Sequence, residues 1–129
     1  AVFSAAVSDY KPKKVATQKI KKAGETFSIE LEKTQDILES CGKIKQNQIL
    51  VGFALETDNE LDNAIDKLNR KNLDLIVLNS LNDKGAGFGG STNKVTIIDK
   101  DQNSNSYQLK SKSEVAKDIL AEILNQYNA

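Results

Sequence analysis

Apolar residues recur along this chain in three distinct rhythms, and each predicts a different element. Residues 2–7 (VFSAAV), 49–55 (ILVGFAL) and 73–78 (LDLIVL) are nearly unbroken apolar runs. Runs of that length read as strands buried on both faces, the habit of parallel sheets. Between the second and third, Leu61, Ala64, Ile65 and Leu68 recur at helical spacing across residues 59–71 and leave one apolar stripe. Strand, helix and strand in about 30 residues make a βαβ unit, with parallel pairing and a right-handed crossover. Residues 27–33 (FSIELEK) alternate instead, as a half-exposed strand does. A short helix is expected over residues 36–41, with Thr34 as its cap.

In the second half, residues 94–99 and 106–110 read as an antiparallel hairpin around the polar stretch 101–105 (DQNSN). Ser113 with Glu114 behind it opens a last helix, whose Val115, Ala116, Ile119, Leu120, Ile123 and Leu124 form a broad apolar face. The fold class that follows is α/β: a partial Rossmann-like three-layer sandwich with parallel strands and an appended antiparallel hairpin. Residues 1–129 form a single domain, with no internal repeat. The opening run has too few helices around it to cover a parallel sheet on both faces. Further strands and helices are expected ahead of it.

Composition narrows the chemistry. The chain has 18 basic and 18 acidic residues, so no global charge draws it to nucleic acid or to an anionic membrane. No apolar run approaches the roughly 18 residues of a membrane span, and the cytoplasm is the expected location. The single cysteine, Cys41, excludes an internal disulfide framework and reads as an inert packed thiol. There is no histidine, which removes Ser-His-Asp and Cys-His catalysis and every histidine-bearing zinc site. Lysine, carboxylate, backbone amide or a hard cation must carry any chemistry.

Several candidates remain, each beside a plainer reading. The glycine loop 85–90 (GAGFGG) runs into a strand, whereas a dinucleotide fingerprint opens a helix; a lid or structural turn fits better. Lys11, Lys13, Lys14, Lys19, Lys21 and Lys22 crowd one stretch, either as a solvated segment or as an anion site. With Tyr10 the only aromatic nearby, nucleic acid is not expected as a partner. Lys67 and Lys71 lie one helical turn apart on the same side, where they complement the helix dipole and can also meet a polyphosphate. Asp9 stands just past a strand end, where open α/β sheets bind ligands, or simply makes a turn. Phe53 follows Gly52, and either fills core or lies where something approaches the backbone.

Taken in order, residues 4–10 (SAAVSDY), 19–22 (KIKK), 52–57 (GFALET) and 67–76 (KLNRKNLDLI), with Asn79, Gly87, Phe88 and Asn93, resemble the phosphopantothenate–cysteine ligases. The resemblance covers about residues 4–126. In most bacteria this ligase follows a flavin-dependent decarboxylase, and the chain looks like the latter part of the ligase. The resemblance implies that CTP activates 4′-phosphopantothenate to an acyl-cytidylate, which cysteine then attacks to form an amide in coenzyme A biosynthesis. It implies Mg2+ with the nucleotide, FMN only in the decarboxylase domain, and a homodimer. Carried over, Phe3, Ser4 and Ala5 would lie along the nucleotide and Asp9 would bind its ribose or base side. Lys19 would be the catalytic lysine at the phosphates. Gln35, Asp36, Ile37 and Leu38 would contact the nucleotide, Phe53 would line the base pocket, and Lys67 and Lys71 would face the triphosphate. No protein metal ligands are implied. The chain departs from the family at Thr34-Gln35, usually Asn-Pro, and at Asn79-Ser80, usually Asn-Asp. The family's N-terminal glycine-rich loop has no counterpart, so the chain alone is expected to be inactive or a weak nucleotide binder. The alternative is a non-catalytic nucleotide- or anion-binding module of the same fold.

Overall fold

The computed structural model describes residues 1–21, 24–80, 82 and 90–128. Its first half comprises β1 (Val2–Phe3), β2 (Tyr10–Pro12), β3 (Leu31–Lys33), α1 (Ile37–Ile44), β4 (Val51–Glu56), α2 (Glu60–Arg70) and β5 (Leu75–Ser80). Its second half comprises β6 (Thr92–Asn93), β7 (Val95–Asp99), β8 (Ser104–Ser106), β9 (Lys110–Ser111) and α3 (Lys112–Asn128). Lys22 and most of the glycine loop 85–90 lie outside the described residues.

The main sheet runs β1-β4-β5-β7-β8. The first three strands are parallel, and β7 and β8 are added antiparallel. Alternation along each strand sends its side chains to two separate cores. Ala54 and Leu50 of the β4 region, Ile76 and Leu78 of β5 and Ile98 of β7 pack against Leu38 of α1 and Ala64 and Leu68 of α2. Val51, Leu75, Val77, Val95 and Ile97 pack on the other face against Val115 and Ile119 of α3. Three layers result, as the apolar rhythms predicted, and the expected βαβ unit is β4-α2-β5.

The N-terminal region departs from expectation. The predicted strand 2–7 shrinks to β1, and Val7 is 58% exposed. The chain then leaves the sheet, and β2 pairs antiparallel with β3, from Tyr10↔Lys33 to Pro12↔Leu31, as a separate two-stranded arm. Only the last three residues of the alternating segment 27–33 join it, all exposed. Its apolar side chains Phe27, Ile29 and Leu31 are all more than half exposed, so its alternation did not mark a core. Its backbone ladder, extended by Lys13 N to Glu30 O (3.0 Å) and Thr34 N to Asp9 O (2.9 Å), joins the two strands, and the exposed ion pairs Lys11–Glu32 (3.3 Å) and Lys13–Glu30 (2.6 Å) lie across it.

Three helix ends also differ from the sequence reading. Asp36, not Thr34, caps α1, and its side chain accepts from the Glu39 amide. The Thr34 hydroxyl donates instead to the Ser8 carbonyl, fastening the arm (2.5 Å). Helix α1 continues past Cys41 through Gly42 to Ile44, and Cys41 is half-buried against the core. Ser111, not Ser113, caps α3: its hydroxyl accepts from the Glu114 amide (3.2 Å), and Glu114 reaches back to the Ser111 amide (3.0 Å). That reciprocal pair is a capping box.

Candidate functional site

Two glycines set how closely the elements around the site approach. A Cβ at Gly42 would collide with the carbonyl of Lys71, so α1 lies directly on the end of α2. A Cβ at Gly52 would lie 2.7 Å from Leu73 Cδ1 and 2.9 Å from Leu38 Cδ2. The partner that approaches the Gly52 backbone is therefore core leucine.

With α1 seated this way, the Lys71 side chain reaches the N-cap of α1, where its Nζ donates to Asp36 Oδ2 at 2.5 Å. The Asp36 carboxylate thus serves two donors, the Glu39 amide (2.9 Å) and Lys71. Burial alone would raise its pKa, but the hydrogen bonds from Lys71 and Glu39 and the positive charge of Lys71 and Arg70 outweigh it and hold it below the usual carboxylate range.

Lys67 stands one turn back on the same flank of α2. Strand β1 stops beside Gly52, and one residue further on the Phe53 carbonyl accepts Lys67 Nζ at 2.8 Å. Lys67 is half-buried, and burial, reinforced by neighbouring Lys71, lowers its pKa from the ordinary lysine value. An ammonium that is partly desolvated and held by a neutral carbonyl is poised to gain from an anion.

Between these groups lies a cavity of about 400 Å³ lined by Asp9, Asp36, Glu56, Asn63, Asp66, Lys67, Arg70 and Lys71. It runs along one flank of α2 from Glu56, the last residue of β4. Its walls are nearly all polar: four carboxylates face three cations. Such a cavity suits a ligand carrying both phosphate and hydroxyl groups better than an apolar one. Among the described residues no cluster of three or more His, Cys, Asp or Glu side chains forms a metal cage. Magnesium commonly binds through substrate phosphates and one or two carboxylates rather than in an all-protein cage, and the cavity carboxylates fit that role.

Of the residues singled out from sequence, Asp9, Asp36, Lys67 and Lys71 meet in this cavity. Lys19 is exposed and is not among its lining residues. Ser4 and Ala5 are exposed beyond β1, and Phe3 packs on the α1/α2 core. Gln35 is exposed and donates to the Ser40 hydroxyl (3.1 Å). Ile37 is exposed and Leu38 is core. The Phe53 ring packs on the α3 side of the sheet. Sequence reading passed over Glu56, Asn63, Asp66 and Arg70. The last three were findable, because residues 63, 66, 67, 70 and 71 share a helix flank at spacings of three and four.

The fold and cavity together define an α/β sandwich that carries a polar, cation-bearing cavity along one flank of α2. Residues 1–127 match the family model described as the DNA/pantothenate metabolism flavoprotein C-terminal domain, and the chain belongs to that family. It is 48% identical over 122 residues to the Coenzyme A biosynthesis bifunctional protein CoaBC of Bacillus subtilis, covering 95% of this chain and 30% of that protein. It is 54% identical over 125 residues to a protein named Cysteine/Cysteine sulfinic acid decarboxylase from an unknown prokaryotic organism, covering 96% and 35%. The crystal structure of the C-terminal domain of a CoaBC superposes with a TM-score of 0.74 at 38% identity, covering 97% of this chain and 53% of that one. The chain therefore spans about a third of the length of these curated relatives. The resemblance read from its motifs is borne out at the level of the family, and so is the fold.

Proposed function

We propose that this chain is the nucleotide-binding, C-terminal portion of a larger phosphopantothenate–cysteine ligase domain acting in coenzyme A biosynthesis, in the cytoplasm. The observation that carries the reading is the meeting of Asp9, Asp36, Lys67 and Lys71 in one polar cavity. The similarity to CoaBC proteins supports the same conclusion.

The reaction needs a carboxylate of 4′-phosphopantothenate to become an electrophile. Attack of its oxygen on the α-phosphorus of CTP forms the acyl-cytidylate and expels pyrophosphate. The cysteine amine then attacks the acyl carbon, forming the amide and releasing CMP. Negative charge builds on the phosphates in the first step, and fixed cations stabilise it. Lys67 and Lys71 supply two such charges. Asp9 accepts hydrogen bonds from the ribose, and the Asp36 segment meets the nucleotide at the α1 N-terminus. Mg2+ bound with CTP would screen the phosphates. Lys19 acts from the arm and must approach the phosphates when the nucleotide is bound. The protein works as a homodimer, for which the exposed apolar side chains of the arm, Val15, Ile20, Phe27 and Ile29 among them, supply a contact surface. The name of the decarboxylase relative describes a protein of which this chain matches only 35%.

Pyrophosphate release from CTP, in the intact protein with 4′-phosphopantothenate, tests the reading. Lys19→Gln is expected to abolish it without moving the melting temperature, because the side chain is exposed. Retained release would remove Lys19 from the mechanism. Its position outside the cavity lining favours one second reading, a nucleotide-binding module without catalysis. Complementation of a ligase-deficient strain separates the two.

A further inference from the structure

The last turn of α2 offers the cavity three cations, and the ligase resemblance assigns only two. Arg70 lines the same cavity as Lys67 and Lys71, and the spacing 67, 70, 71 puts all three on one flank. Their present commitments differ. Lys67 is held by the Phe53 carbonyl and Lys71 by Asp36. Among the described residues, Arg70 is paired only with Asp66, Nε to Oδ2 at 3.5 Å, with both side chains more than half exposed. A solvent-exposed i,i+4 pair of that length holds its arginine weakly. Arg70 is thus the cation most easily released to a ligand, and its planar fork of donors matches two oxygens of one phosphate.

We propose that Arg70 determines specificity for the phosphate chain: it leaves Asp66 to clamp a phosphate beyond the first, so that the site distinguishes a nucleoside triphosphate from a monophosphate. Asp66 competes for the same guanidinium and sets how readily it is released. This rests on the cavity being the nucleotide site.

Titration calorimetry of the intact protein with Mg2+ and either CTP or CMP tests it, in the wild type and in Arg70→Gln, Arg70→Lys, Asp66→Asn and Lys67→Gln. Loss of a charge-assisted fork predicts that Arg70→Gln weakens CTP by about tenfold or more while CMP binding stays the same. Arg70→Lys keeps the charge without the fork and falls between. Asp66→Asn frees the guanidinium and tightens CTP. Suppose Arg70→Gln leaves CTP unchanged, or weakens CTP and CMP equally, while Lys67→Gln weakens CTP: the Arg70 proposal is then overturned and the cavity reading survives. If Lys67→Gln also leaves CTP unchanged, the cavity is not the nucleotide site and both fail.

Discussion

The two faces of the central sheet use the same strands but end in different chemistry. On the α1/α2 face, helix ends converge on an open cavity lined by four carboxylates and three cations. On the α3 face, the polar groups close on themselves. Tyr107 donates to Glu122 (2.6 Å), Asn105 donates to the same carboxylate (2.8 Å), and Lys110 pairs with Asp118 (2.6 Å) while lying 5.2 Å from the Tyr107 ring centre. Burial and the Glu122 carboxylate push the Tyr107 hydroxyl well above its ordinary pKa, so it stays a donor. The Tyr107 hydrogen bond in turn outweighs partial burial and, with Asn105 and Asn125, holds Glu122 below the usual carboxylate range. One face spends its charges on itself. The other holds its charges around an open cavity, with Arg70 and Asp66 more than half exposed, and that is the face the proposed function assigns to the nucleotide.

The sharpest way to break the comparison is Gly42→Ala. The added methyl meets the Lys71 carbonyl, so α1 and α2 must separate and Lys71 loses its reach to Asp36. Overpacking of this kind costs about 1–3 kcal/mol, to be read from urea unfolding, and CTP affinity should fall with it. A variant as stable as the wild type would mean that the helix contact is looser than the structure has it.

Tyr107→Phe addresses the opposite face. It should cost about 1.5 kcal/mol, the worth of a hydrogen bond to a charged group at its low end, and leave CTP affinity untouched. Because the folded pKa of Glu122 is depressed, its stabilising contribution is present above the unfolded pKa and is lost as pH falls through the folded value. Tyr107→Phe should flatten that acid limb. A change in nucleotide binding would show that the two faces are coupled.

The smallest expected effect is a shift in pH dependence. Lys67 has a lowered pKa, and a phosphate binds its protonated form. Nucleotide affinity is therefore expected to be complete below the free-state pKa and to decline as pH rises through it, beginning below the ordinary lysine range. Lys67→Arg, which stays charged, should move that decline upward. An unchanged profile would remove Lys67 from the phosphate contacts.

How far all this could be read in advance varied by element. The rhythm of residues 59–78 was enough for α2 and its parallel strands, because burial there is dense and local spacing reports it. The hairpin was legible only in outline: β7 pairs with Ser104–Ser106, mostly inside the expected loop, while Lys110 and Ser111, at and just past the end of the expected strand 106–110, pair with β6 instead. Helix α3 was legible apart from its capping serine, since Ser111 and Ser113 both stand before acceptable helix starts. Residues 2–7 and 27–33 misled. Apolar spacing describes what a segment can bury, and here Val7, Phe27, Ile29 and Leu31 stay exposed in spite of it.

Sequence by itself determined the α/β class, the family and the shared flank of Lys67 and Lys71, and that this chain supplies no histidine, all of which depend on residue type and helical period. Tertiary structure alone decided that the Phe53 ring turns to the α3 side, that Asp36 takes Lys71, and that Glu56, Asn63, Asp66 and Arg70 share a cavity with Asp9. Those outcomes depend on strand pairing and on how closely α1 can approach the end of α2. Both arise between segments far apart in the chain, where no local periodicity records them.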